Sequence, residues 1–188
     1  ENGVRDAKHV RATMVVALAG FLVNALWATA NVIVGDPFVA TENAVVSTGF
    51  LIAYHLVRHE RYPLAPFVTV VVFLLHMTFV ALTFGYGSGA HQFFLLGTVI
   101  PYLVFSRLFR LAANSFALIS GLAYFSCVVF KEQLPGVVVV GDEASMAIVN
   151  AVFLLAILAT TTAFFVSEMR KSDDALEAEH ERSEALLY

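Results

Sequence analysis

The chain has 188 residues, 59% of them hydrophobic and 14% charged, with a mean hydropathy of +0.79. That balance excludes a water-soluble domain of this size, whose helices would need charged outer faces, and defines a membrane protein. The formal net charge is -4, and the bases sit in short polar breaks without aromatic interleaving, which excludes a nucleic-acid-binding surface.

In chain order, six apolar stretches are predicted as helices, over 12–34, 44–57, 64–84, 93–105, 111–130 and 144–166. A helix needs about twenty residues to cross the hydrocarbon core, so the second and fourth stretches must recruit flanking residues. The first stretch is longer than the apolar core of a secretory signal and ends without a clear cleavage site, so it reads as a span. The connections 35–43, 85–92 and 131–144 lie at one side, and 58–63 and 106–110 at the other. Loops this short make successive helices antiparallel neighbours.

Of the 11 Lys and Arg, only Lys131 falls on the first of these sides. The bias places both termini in the cytoplasm. The expected architecture is therefore an all-α membrane protein of six transmembrane helices, with the last helix extending into the cytoplasm. Residues 1–11 form a cytoplasmic lead-in able to make an amphipathic helix, 12–167 the membrane domain, and 168–188 a cytoplasmic helix. The plasma membrane is the expected location.

Within the spans, Pro101 beside Gly97 should bend the fourth helix, and Ala117 with Gly121 fits a close helix crossing. Gly85, Gly87 and Gly89 allow a tight turn that brings His91 to the membrane surface. Cys127 is alone and makes no intrachain disulfide. Polar side chains facing lipid are costly, so Asn24, Asn31, His55, His76, Asn114 and Asn150 are expected to find partners in the bundle, His55 also by reaching toward the cytoplasmic face. Asn24, His76 and Asn150 are the candidates for an interior site that takes a small or lipophilic ligand; orienting hydrogen bonds between packed helices are the competing reading.

On the opposite side from the bases, Asp36, Glu42, His91, Asp142 and Glu143 are candidate ligands of a divalent cation, which needs three or four oxygen or nitrogen donors. A solvated acidic loop surface gives the same letters. No zinc-hydrolase helix, phosphate-binding glycine loop, CxxC pair or nucleophile elbow occurs, so this chain holds no catalytic residue and no cofactor of its own.

Residues 168–188 contain neither Gly nor Pro and favour helix. Met169, Leu176 and Ser183 recur at a spacing of seven, and His180 and Leu187 each follow one of them by four, a short heptad pattern suited to a signal-transmitting helix. Two such helices, already paired by their bundles, could continue as a parallel pair.

The stretch ALEAEHERSEALL (175–187) resembles the segment that joins the membrane and catalytic domains of mycobacterial-type class III adenylate cyclases. GSGAHQFFLL (87–96) resembles the outer loop and fourth span of the same proteins. The resemblance implies a homodimer in a lipid bilayer, serving as anchor and receptor for a cyclase domain that follows. That domain converts ATP to cyclic AMP and diphosphate with Mg2+ or Mn2+. None of its metal-binding, adenine-selecting or transition-state residues corresponds to a position here, so the cyclase domain is expected beyond Tyr188. Two other readings stay open: the membrane sensor of another signalling enzyme, such as a histidine kinase with His180 in its stem, and a small transporter or channel.

Overall fold

A computed structural model describes residues 2–134, 136, 147–160, 162–163, 166–167 and 171, and these contain helices and turns but no strand. Asp142, Glu143, Met169, Leu176, His180, Ser183 and Leu187 lie outside the described residues. Three helical segments, Lys8–Val34, Ala65–Phe84 and Arg107–Val129, are long and apolar enough to cross a membrane.

Helix α1 runs from Asn2 to Val34. At 1.5 Å per residue it is about 50 Å long, more than the hydrocarbon core needs, so its polar first turns continue the same helix outside the apolar region. Helix α2 covers Pro37–Arg58, where the sequence predicted a loop up to residue 43. The difference is a start signal hidden among polar letters. Asp36 is the N-cap, its Oδ1 accepting from Val39 N at 3.1 Å, and Pro37 takes the first helical position, where a missing N–H costs nothing.

Helix α3 covers Ala65–Phe84. Two short 3-10 turns, Tyr86–Ser88 and Ala90–Phe93, lead into α4, Phe94–Val104. Gly85 and Gly89 both have φ above +70°, the left-handed region where a side chain would be strained, whereas Gly87 does not. Helix α5 covers Arg110–Val129, and a sixth, α6, is described over Ala147–Thr160. The chain divides into two compact units at Asn150; in the second, the described residues from Ala151 onward are helical.

In the first unit α1 and α2 pack along each other most extensively. Gly20 admits the Phe50 ring, with 2.7 Å from a Cβ position to the nearest ring carbon, and Gly49 admits Val72 in the same way at 2.8 Å. Helices α4 and α5 cross where Gly97 meets Ser120, and any Cβ at 97 would collide with the Ser120 hydroxyl. That hydroxyl donates to Phe94 O at 2.7 Å. The close crossing therefore uses Gly97 and Ser120 in place of the predicted Ala117 and Gly121; Gly121 has only Thr98 Cγ2 near it, at 3.9 Å. Glycine allows the backbones to approach, and serine ties them with a bond that hydrocarbon cannot replace.

Candidate functional site

Helices α2 and α3 bring one acid and one imidazole together. Glu42 Oε1 and His76 Nδ1 are 2.7 Å apart, and each side chain is only 12% exposed. With a carboxylate accepting, the proton of the bond sits on Nδ1. Glu42 is the sixth residue of α2, about 8 Å along the axis from Pro37, while His76 lies about 12 Å from the end of α3. One turn closer to that end, Phe38 and Phe79 meet with their rings tilted and their centroids 5.5 Å apart, on the same helix faces as the pair. On the other side, the Gly49–Val72 contact closes the crossing. Glu42 Oε2 is buried and has no hydrogen-bond partner.

The sequence placed Glu42 in a loop and left His76 without an acid. Helix α2 begins seven residues earlier than its apolar letters suggest, which turns Glu42 from a loop carboxylate into one buried between two helices. The cap-and-proline pair at Asp36–Pro37 was the available signal.

The other interior candidates find separate partners. Asn24 Nδ2 donates to Gly20 O in its own helix at 2.8 Å, and Asn150 Nδ2 donates to Ser88 O at 2.8 Å. Asn31 is half-buried and donates to Trp27 O at 2.8 Å, so a polar residue in an apolar helix needs no neighbour when its own helix supplies a carbonyl four residues back. Asn114 Oδ1 accepts from Tyr102 OH at 3.1 Å, and His55 stacks on His59 at 6.2 Å.

The described members of the predicted cation set are also apart in role. Asp36 caps α2, Glu42 holds His76, and His91 stacks between Tyr86, at 4.1 Å, and Tyr124, at 5.9 Å. Among the described residues no three His, Cys, Asp or Glu side chains gather to hold a metal ion. His91 is 5% exposed, with Nδ1 buried and unpartnered. It lies in the connection between α3 and α4. Burial pushes its pKa below the usual histidine value, against a smaller opposing effect of the Tyr86 backbone.

At the other end of the bundle, side chains of two elements converge on the last carbonyls of α4. His9 Nδ1 is 3.0 Å from Leu103 O and Tyr62 OH donates to Val104 O at 2.8 Å, while the Thr13 hydroxyl shares its proton between His9 O at 2.7 Å and Val104 O at 3.3 Å. The end of an α-helix leaves carbonyls unpaired, and here α1 and the α2–α3 turn supply the missing donors. Phe67, Phe105 and Phe116 pack beside this knot, with centroid distances of 4.8 Å from Phe105 to Phe67 and 5.8 Å to Phe116. This knot is not legible in the sequence, because Tyr62 and Thr13 are separated from Val104 by 42 and 91 residues.

A helical unit with apolar exteriors and a buried acid–imidazole pair between two of its helices belongs to the class of membrane domains that keep their polar chemistry inside the protein. The sequence matches the MASE7 family over residues 3–180, and the chain belongs to that family of membrane-associated sensor domains, which typically stand N-terminal to signalling enzymes. No curated protein and no solved structure matches it.

Proposed function

We propose that this chain is the membrane sensor and anchor of a class III adenylate cyclase. In this reading it has six spans, with both termini in the cytoplasm, and pairs with a second copy. A ligand or lipid change at the Glu42–His76 layer biases the two helices that leave the sixth span, and their separation or twist sets whether the halves of the catalytic sites meet. ATP and the Mg2+ or Mn2+ that acts on it are handled by the following domain alone.

The observation that carries the sensor reading is the Glu42–His76 pair. An ionisable pair inside a membrane domain is expensive, and neither helix needs it to complete its backbone hydrogen bonds. The cyclase reading is supported by the tail resemblance at 175–187. The match to a family that typically stands N-terminal to signalling enzymes runs past the last apolar stretch to residue 180 and supports the coarser reading of a sensor that precedes such an enzyme.

The test joins residues 1–188 to a class III catalytic domain and follows cyclic AMP formation in liposomes. Glu42→Gln and His76→Gln should each change the output by at least about five-fold, the lower range of allosteric coupling. Unchanged output in both variants across lipid compositions would remove the pair from signalling. Particle masses in nanodiscs, with the chain intact or ended at Val166, locate the pairing: dimers in both place it in the bundle, and monomers in both reject membrane pairing.

A further inference from the structure

The end of the bundle that carries the α4 knot is also where bases collect. Lys8 and Arg11 come from α1, Arg58 and Arg61 from the end of α2 and the turn after it, and Arg107 and Arg110 from the α4–α5 turn. Glu60 is the acid among the described side chains at this end, and none of the six bases makes an ion pair among the described residues. Arg58 lies 6.0 Å from the centre of the Tyr54 ring. Arg11, Arg58, Arg61, Arg107 and Arg110 are exposed.

The knot fixes where two of these bases attach. Arg61 precedes Tyr62, and Arg107 follows Val104 by three residues. The hydrogen bond of Tyr62 to Val104 brings these two backbone positions to one place, while Arg11, two residues from both His9 and Thr13, lies on the opposite face of α1. Glu60, at φ 61°, turns the chain there in a conformation that non-glycine residues adopt rarely. Beside these bases stand Leu108 and Leu111, 86% and 80% exposed. Guanidinium groups bind phosphate through paired N–H donors, and exposed leucines next to them suit acyl chains.

We propose that this rim is a docking surface for anionic phospholipid headgroups, whose phosphate bridges the α2–α3 turn and the α4–α5 turn. The juxtaposed leucines favour a lipid over a soluble acidic protein, which would leave them uncovered. The proposal rests on the membrane reading of the chain but not on its coupling to a cyclase. It is therefore tested without one.

The experiment uses the 188-residue chain in nanodiscs of phosphatidylcholine with or without phosphatidylglycerol, reading retained lipid by native mass spectrometry and the melting midpoint across salt concentrations. Phosphatidylglycerol should be retained preferentially and raise the midpoint, with the gain shrinking as salt rises. Arg61→Gln and Arg107→Gln should each weaken its retention about five-fold, from the attraction of one base to an anionic surface, while Arg61→Lys holds it within about two-fold. Lys131→Gln, at the far end, should leave it unchanged. An unaltered midpoint in phosphatidylcholine shows that a variant is folded. Equal retention of both lipids, or full retention in the Arg61→Gln/Arg107→Gln double variant, overturns the proposal. Inorganic phosphate that raises the midpoint as much as the lipid would reassign the rim to free anions, and an acidic peptide that binds where phosphatidylglycerol does not would reassign it to a protein partner.

Discussion

The two polar sites at opposite ends of the bundle differ in what their hydrogen bonds complete. At the knot, side chains of α1 and Tyr62 satisfy Leu103 and Val104 carbonyls that a helix end leaves open. Without water those carbonyls would be costly, so the fold requires such donors. At the Glu42–His76 layer the bond joins two side chains, and one carboxylate oxygen remains unpartnered. Two apolar residues of similar volume would pack there with no backbone group left open. Polar residues in a membrane domain thus divide by whether the backbone needs them, and those it does not need are the stronger functional candidates.

Substitutions can break or sharpen this contrast. The largest effect is expected at the α4–α5 crossing that seats α4 for the knot. Gly97→Val places carbon atoms where the Ser120 hydroxyl and the Phe73 ring already lie, and should lower stability by about 3 kcal/mol in a detergent unfolding assay. Next comes Glu42→Ala, which leaves His76 buried without its acceptor and should cost about 2 kcal/mol, whereas Glu42→Gln keeps an acceptor and should cost less than about 1 kcal/mol while altering signalling. Equal losses of stability and signal in both variants would make this pair structural, like the knot.

Tyr62→Phe removes the shorter of two bonds to Val104 O and should cost about 1 kcal/mol, with faster amide exchange around residues 105–109. It should leave the α2–α3 pair undisturbed. The smallest effect concerns His91, which neither site uses. Its folded-state pKa lies below the ordinary histidine value, so the unfolded chain binds more protons in the interval between the two. Stability should rise with pH through that interval, be complete above about pH 6.5, and decline on acidification. A melting series from neutral to mildly acidic pH should show this slope flattened in His91→Gln.

Much of the helical layout was legible in the sequence because long apolar runs admit few alternatives. Helix α3 begins and ends within a residue of its predicted stretch, and α5 within one residue at each end. The start of α2 is hidden in the sequence, since apolar content marks a helix there only from residue 44 and this one begins with Asp36, Pro37 and an acid at 42. The same polar letters hide the most informative contact. His76 was recognised as a buried polar residue, but its partner is 34 positions away on another helix, and side-chain periodicity carries no information about pairing between helices.

The sequence by itself determined that the chain belongs in a bilayer, that it is helical, and that its bases avoid the apolar stretches. Those properties follow from local chemistry: apolar surface must leave water, and backbone groups in hydrocarbon must bond within their own segment. Only the tertiary structure decided that Gly97 faces Ser120, that α4 ends on donors from α1 and the α2–α3 turn, and that Glu42 meets His76. Which faces meet depends on close packing between helices whose apolar surfaces read alike in sequence, so the specificity resides in a few small and polar residues whose partners the fold alone selects.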